Sequence, residues 1–424
     1  MKKSISSAVR IDIFIILSAL VLIICVLIFR AGFKTGKKTD TAISPVELLI
    51  SPRCEELFGP EMTGTLLWDF EEQNPELIVG LFHDGDKNEP DILIFDEGEL
   101  NLFFANESAS AGFGLMPLDA FPNSKIFEDH PELHTAAVPL VSFIDLLFYN
   151  IDLLVSAGFD RPPKTRDEFL SFARAVSAVK NTAGTDAAGA AISLSPRDRR
   201  AVSRDIFSWI WAAGNDLWTS GSDSPAINTR TLIRDISFFG DLNRAGAFAP
   251  AHFDMTGDQL LEEFARGNIA MMIASSGAIP FLRDRMGDGA FGITNIPGSN
   301  TGGKYSSVLS GLYAGININC VNPGEAMRFI EFLSEKSLLL CTELKAVPGV
   351  TSDLFAVSYM NDDPFYSKAR DIFESAQIIR GFSGKTGAVE YENAVREEMR
   401  VFFNTGRSAQ DTASAIQRRW DLVR

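Results

Sequence analysis

Phe148-Tyr149-Asn150-Ile151-Asp152-Leu153-Leu154, then Ala157-Gly158-Phe159, then Pro162-Pro163-Lys164-Thr165-Arg166-Asp167-Glu168-Phe169, is the stretch on which the fold turns. Its second half carries a stop and a start. The paired prolines cannot continue a helix, and Asp167–Val179 then places apolar residues at helical spacing. Upstream, Val46–Ile50 and Leu77–Phe82 read as strands around a helix near Glu55–Glu72, and Asp91–Phe95 reads as a short buried strand. Downstream, a helix at Leu260–Ala265 is followed by strands at Ile269–Ala274, Phe291–Ile296 and Leu312–Ile318. Amphipathic helices are expected at Ala326–Glu335 and Ala388–Phe403. Alternation of this kind gives an α/β protein, built of βα units with sheets covered on both faces. No internal repeat or low-complexity tract interrupts it, and the one linker-like piece, Gly32–Ser44, is polar and basic.

The chain has 424 residues, 46% of them hydrophobic, with 39 Lys+Arg against 55 Asp+Glu and a formal net charge of −16. A disordered chain would be poorer in apolar residues, and at ~100–200 residues per domain this length suggests two or three domains. The charge is uneven. Residues 1–38 hold seven basic side chains and one acid, a net of +6, which leaves −22 of the total −16 on residues 39–424. So acidic a body excludes nucleic acid as a partner, because phosphate contacts need clustered Lys and Arg.

The basic end surrounds Ile13–Phe29, an apolar run broken only by Ser18. At about 17 residues it is at the lower limit for a spanning helix. Three readings stay open. A cleaved signal needs small residues near its end, and Leu27-Ile28-Phe29-Arg30 has none; a lipoprotein signal needs a small residue before the modified cysteine, and Ile24 precedes Cys25. A retained transmembrane signal anchor needs neither. All three put residues 39–424 outside the cytoplasmic membrane. With Cys25 in this run, Cys54, Cys320 and Cys341 form neither a disulfide framework nor a C-x-x-C motif, and read as buried small side chains.

Several motifs fail on context. Gly287-Asp288-Gly289-Ala290-Phe291-Gly292 spells G-x-G-x-x-G, but a helix precedes it and a strand follows, the reverse of a dinucleotide fingerprint. Gly298–Lys304 approaches a P-loop with Tyr305 in place of the Ser/Thr that would hold magnesium. Asp84-Gly85-Asp86-Lys87-Asn88 opens like a calcium loop, but Glu89 stands where Gly is required and Phe95 where Glu closes the loop. His130 and His134 are separated by Pro131 and do not form H-E-x-x-H. With four histidines and no G-x-S-x-G, hydrolytic triads have little material. No cofactor or metal is expected.

Six segments in order resemble the family 1 extracellular solute-binding proteins, the maltose-binding-protein-like sugar receptors of ABC transporters. Phe70-Glu71-Glu72-Gln73-Asn74-Pro75-Glu76-Leu77-Ile78-Val79 is similar to that family's first-helix signature, and Pro90-Asp91-Ile92-Leu93 to its "PDi" strand. Val138-Pro139-Leu140, Asp145 and Phe148–Leu154 resemble its inter-lobe crossover, and 157–169 the segment after it. Phe264-Ala265-Arg266-Gly267-Asn268-Ile269-Ala270-Met271-Met272 is similar to its "F..G..AM" strand, and Ser310-Gly311 stands where the family returns to its first lobe.

The resemblance implies a two-lobe periplasmic-binding-protein fold of type II, a Venus flytrap, and the apolar run 13–29 adds one N-terminal transmembrane or signal-anchor helix before it. With the membrane segment and linker at 1–38 set apart, it implies a first lobe at 44–146 plus 308–353, and a second at 147–307 plus 354–424. It places ligand contacts at Phe95, Asp96 and Glu97; at Phe143 and Asp145 of the crossover; at Trp209, Trp211, Asn215 and Asp216; at Ser275 and Ser276; at Ser310, Gly311 and Tyr313; and at Tyr391 and Arg396. Trp211, before an Ala-Ala-Gly turn, is expected to offer a stacking face, with Trp209 as its substitute; Asp145 could instead brace the hinge. Two departures stand out. A polar turn, His83–Glu89, replaces a family helix, and Ser275-Ser276-Gly277 stands where relatives often carry a Trp, which favours a smaller or more polar solute than a maltodextrin.

The function so implied is the solute-binding component of an ABC importer, held at the periplasmic or extracellular face of a bacterial membrane through residues 13–29. It would capture a small solute, a sugar by resemblance, and deliver it to permease subunits. An anchored sensor using the same flytrap is the alternative, disfavoured because only about ten residues precede the span. An extracytoplasmic glycoside hydrolase is a third reading, needing two carboxylates such as Asp96 and Asp216 across one bond. If the anchor is retained, the membrane form keeps Met1–Phe29 and carries no lipid on Cys25. Mass spectrometry finding a diacylglyceryl Cys25 as the new N-terminus would overturn this.

Overall fold

The computed structural model describes residues 45–423 apart from 84–85, 87–88, 104–113, 119–120, 122–136, 179–183, 185, 219–223, 299–305, 349–358, 375–376 and 380–386. The apolar run 13–29, Cys25 and the linker 32–44 lie outside the described residues, as do His130, His134 and most of the calcium-like and P-loop-like stretches. Among the described residues no helix is long and apolar enough to cross a membrane.

The described strands are β1 (Val46–Ile50), β2 (Leu77–Leu81), β3 (Ile92–Asp96), β4 (Val138–Asn150), β5 (Met271–Ser275), β6 (Phe291–Thr294), β7 (Ser306–Ile316), β8 (Val347–Pro348) and β9 (Gln377–Ile379). The first sheet has the order β2-β1-β3-β7-β4. β1 is parallel to β2 and β3, while β7 runs antiparallel to both β3 and β4. β4 organises the molecule. Its first half, Val138–Ile144, pairs with Ala314–Leu309 of β7; its second half pairs with β5 from Asp145 to Tyr149 and with β6 from Leu147 to Asn150. One 13-residue strand therefore serves two sheets, and every residue in it except Phe143 and Tyr149 is buried. Burial on both faces is why it reads as a continuous apolar run rather than an alternating one. Pro139, which cannot donate to a ladder, sits at the irregularity where the register with β7 shifts.

Local rules set the boundaries. The helix expected near Glu55–Glu72 is two helices, Arg53–Phe58 and Pro60–Gln73, divided at Gly59. Gly59 takes φ 85°, a left-handed conformation that favours glycine, and Pro60 opens the second helix. Asn150 caps the helix Ile151–Ser156 through Leu153 N (3.0 Å), and Thr165 caps Arg166–Val176 through Glu168 N (3.2 Å), so the Pro-Pro stop does precede a start. No described residue between β2 and β3 is helical, as the polar turn His83–Glu89 suggests. Gly287 ends the helix Ile279–Met286, so the G-x-G-x-x-G match is a helix-to-strand turn.

Two cores flank the second sheet. One is continuous with the first sheet through Ile144, Leu146 and Phe148, and includes Phe70 wedged against Phe329 (4.9 Å) and Phe332 (5.3 Å). The other gathers Leu147, Met271 and Ile273 with Trp209, Trp211, Tyr391 and Trp420. Cys54, Cys320 and Cys341 are free, the first and last buried.

Trp211 is 2% and Trp209 3% exposed, which corrects the expected stacking face. Side chains two apart on a helix point to opposite sides, but the helix Ser208–Ala212 is enclosed on every side, so parity does not separate core from cleft. Trp209 packs edge-on to Phe169 at 4.6 Å and Trp211 edge-on to Phe207 at 5.5 Å. Trp211→Ala should cost ~3–5 kcal/mol of folding stability, the range for emptying a buried aromatic site. Chemical denaturation measures it; an unchanged midpoint together with weakened solute binding would return the ring to the cleft.

Candidate functional site

Four segments build one cavity. β1 delivers Ser51, Pro52 and Arg53 at its carboxyl end, and β3 delivers Asp96 and, one turn into the helix Glu97–Phe103, Glu99. The carboxyl ends of strands are where open α/β sheets bind ligands. Asp96 Oδ1 accepts from Glu99 N (3.0 Å) while Glu99 Oε2 accepts from Asp96 N (3.1 Å), a reciprocal cap that fixes both carboxylates. Arg53 bridges them, with Nη2 3.3 Å from Asp96 and Nε 3.2 Å from Glu99. Opposite lies Arg197-Asp198-Arg199-Arg200, leading into a single π-helical turn, Ser203–Phe207, that carries Arg204 and Asp205. π-turns of this kind occur frequently at functional sites. Thr256, Gly257 and Asp258 at the start of the helix Gly257–Ala265 complete the wall. The half-open cleft holds about 420 Å³, within the ~300–1,000 Å³ common for small-molecule sites.

Behind the wall is a buried charge network. Arg200 Nη2 donates to both oxygens of Asp145 (3.1 and 3.0 Å), and its Nε lies 3.9 Å from Glu97. Burial alone would lower the Arg200 pKa, but Asp145 and Glu97 more than offset it and raise it. Arg204 donates to Asp198 (2.9 Å) and Asp205 (2.8 Å). Asp198 also accepts from Gly257 N (2.7 Å), and burial, which would raise its pKa, loses to Arg204, so it is lowered. Glu392 accepts from Ser203 Oγ (2.8 Å). Its burial pushes the carboxyl up to about 7 against the opposing effects of Ser203 and Arg396. Arg396, one turn on, is lowered by burial.

The two halves touch at Gly98. A Cβ there would stand 2.8 Å from Arg199 Cβ and 3.4 Å from Arg200 Cγ. Arg199 Nη1 lies 3.6 Å from Glu99 across the same contact.

Of the residues expected from sequence, Asp96 lines the cavity, while Glu97, Asp145 and Arg396 stand in the network behind it. Phe143, Ser275, Ser276, Ser310 and Gly311 meet where β4 changes partners: Asp145 is opposite Ser275, Phe143 opposite Ser310, and Ile144 N donates to Ser276 Oγ (3.1 Å). Phe95 and Tyr313 stack in a small core with Leu100 and Leu115. Tyr391 is core, packed on Trp420, and Asn215 donates to Asp235 (2.7 Å) in the buried Arg166 site. Asp216 is exposed and turned to Trp218 N (3.0 Å), away from the cavity, so it does not face Asp96 across a bond to be cleaved. Sequence reasoning missed Arg53, Glu99 and the whole 197–204 cluster. The available signal was four arginines within eight residues of a strongly acidic body.

Strands crossing between two sheets, with a polar cavity beside the crossing, define a two-lobe binding-protein fold. Solved structures share it. The acarbose-binding GacH receptor of Streptomyces glaucescens aligns with TM-score 0.67 at 18% identity over 90% of this chain and 100% of its own. A solute-binding protein of Thermotoga lettingae bound to α-D-tagatose gives 0.69 at 18% over 90% and 100%. The cyclic α-maltosyl-1,6-maltose binding protein of Arthrobacter globiformis gives 0.69 at 16% over 89% and 99%. The family model "Bacterial extracellular solute-binding protein" matches residues 85–337, and the chain belongs to that family. A Deinococcus radiodurans protein described as a "probable ABC transporter-binding protein" is 23% identical over 248 residues, a match spanning 57% of either chain.

The raised pKa of Glu392 has a signed consequence. Between the ordinary 4.5 and about 7 the folded state holds a proton the unfolded state has lost, so this group's contribution falls as pH rises through that window. The displacement is worth on the order of 3 kcal/mol. Glu392→Gln keeps an acceptor for Ser203 without the charge, so its melting temperature relative to the unmodified chain should climb from pH 5 to 7.5. Parallel pH profiles would refute the assignment.

Proposed function

We propose that the chain is the extracytoplasmic solute-binding component of an ABC importer, which captures a carbohydrate between its lobes and hands it to permease subunits. The observation that carries this reading is the cavity of about 420 Å³ lined from both sides of the β4 crossing by groups that donate to and accept from hydroxyls. Carboxylates Asp96 and Glu99 accept, guanidinium groups and the Thr256 hydroxyl donate, and no aromatic ring lines the cavity among the described residues. That composition suits a compact, highly hydroxylated solute better than a long oligosaccharide. The structural neighbours solved with acarbose and with α-D-tagatose, and the one that binds cyclic α-maltosyl-1,6-maltose, support the same class. Lobe boundaries near 146 and 308 accord with the change of partners in β4 and the return through β7. Attachment to the membrane through 13–29 completes the reading.

The test is a thermal-shift panel on the full chain, solubilised in mild detergent, against sugars, amino acids, peptides and polyamines. A sugar at about 100 times its dissociation constant should add ~2.7 kcal/mol of stability. Gly98→Leu, which pushes side-chain atoms into Arg199 Cβ and wedges the two halves apart, should abolish that gain, with a cooperative ligand-free transition showing that the variant still folds. Stabilisation by another solute class and by no sugar would overturn the carbohydrate reading.

A further inference from the structure

We propose that the solute carries an acidic group, a carboxylate or a phosphate ester, seated by Arg197 and Arg199. The inference rests on the cavity being the solute site, and it names which solutes that site selects.

The arginines around the cavity are not equally engaged. Arg204 is committed to Asp198 and Asp205, and Arg200 to Asp145. Arg53 is shared among Glu56, Asp96 and Glu99. Arg197 is exposed, and its guanidinium makes no ion pair or hydrogen bond among the described residues. Arg199 is half-exposed and meets Glu99 only at 3.6 Å, beyond hydrogen-bonding distance. Two guanidinium forks therefore reach the cavity with open donors, on a segment whose backbone is pinned by Arg200 and Asp198.

A guanidinium presents five N–H donors in a planar fork that matches carboxylate and phosphate oxygens in pairs. Such charge-assisted pairs are roughly twice as strong as neutral hydrogen bonds. The carboxylates of the cavity do not cancel the offer. Asp96 and Glu99 already serve each other's backbone and Arg53, and Asp198 already accepts from Arg200 N, Arg204 and Gly257 N. Asp258 sits exposed at the rim, in the first turn of its helix. In a body carrying −22, a general attraction for anions is ruled out, so discrimination has to come from local forks. Among the described lining residues no aromatic ring offers a neutral sugar a stacking platform to orient it.

The experiment titrates the full chain calorimetrically with a neutral hexose, its uronate, its 6-phosphate, a non-sugar dicarboxylate and inorganic phosphate. The uronate or the sugar phosphate should bind at least tenfold tighter than the hexose, and which one does so separates a carboxylate from a phosphate ester. Arg197→Ala/Arg199→Ala should remove that preference by weakening the acidic sugar at least tenfold more than it weakens the hexose, and Arg→Lys at both positions should restore part of it. A hexose that binds as tightly as either acid, or a preference that survives the double variant, overturns the acidic-group assignment while leaving carbohydrate capture standing. Binding of the dicarboxylate alone, lost in the double variant, would keep the acidic group and remove the sugar. Binding of none of the acids would overturn the proposal.

Discussion

Asp145 lies in the middle of the strand that both sheets share, at 2% exposure, and its ion pair with Arg200 is the contact around which the cleft is organised. Hydration lost by an ion at such depth costs several kcal/mol, regained only where geometry is good and further groups help. Here one Arg200 nitrogen meets both carboxylate oxygens, with Glu97 3.9 Å from Nε. Removing either partner would strand a buried charge, at ~3–5 kcal/mol. The pair therefore fastens 197–204 to the crossing strand, and Arg197, Arg199 and Arg204 take their places because Arg200 has taken its own. Arg204 then holds Asp198, which in turn caps Gly257.

The same fastening leaves closure to the ligand. The contact from Arg199 to Glu99 spans the cleft at 3.6 Å, with the arginine side chain 50% exposed. A pair so wetted contributes ~0–1 kcal/mol, too little to hold two lobes together against the entropy of their hinge. Glu97 and Arg200 are better buried, but at 3.9 Å they add Coulomb attraction without a hydrogen bond. A ligand that engages both sides would supply what these contacts lack, as capture between the lobes requires. Gly98 permits the approach, since any larger residue would meet Arg199 first.

Much of the scaffold was legible in the sequence because it obeys local rules. β1 matches its expected bounds, and β3, β5 and β6 lie within two residues of theirs. The departures also have local causes, such as Gly59 dividing one expected helix into two. The site was less legible because its contacts are remote. Asp145 and Arg200 are 55 residues apart, and Ser203 and Glu392 are 189 apart. A charge run such as Asp198-Arg199-Arg200 normally marks a solvated face, and nothing local says that Asp145 will be waiting for it. The aromatics misled for the opposite reason. Resemblance placed Trp209, Trp211 and Tyr391 at the cleft, yet a lobe with helices on its outer face needs large rings to fill its core, and these rings do so.

What the cavity can do follows from how its carboxylates are engaged. Glycoside hydrolysis needs one carboxyl held protonated as an acid and a second left ionised on the other side of the bond. Asp96, Glu99 and Asp198 each accept from a backbone N–H and an arginine, and, against burial, Arg204 holds the Asp198 carboxyl below its usual range. The carboxyls whose pKa is raised nearby, Asp205 and Glu392, are raised by burial and lie behind the wall, facing Arg204 and Ser203 rather than the cavity. The carboxyls raised toward trading a proton are thus kept out of a solute's reach. That division suits reversible capture, in which a solute is oriented, enclosed and released without a bond being made or broken.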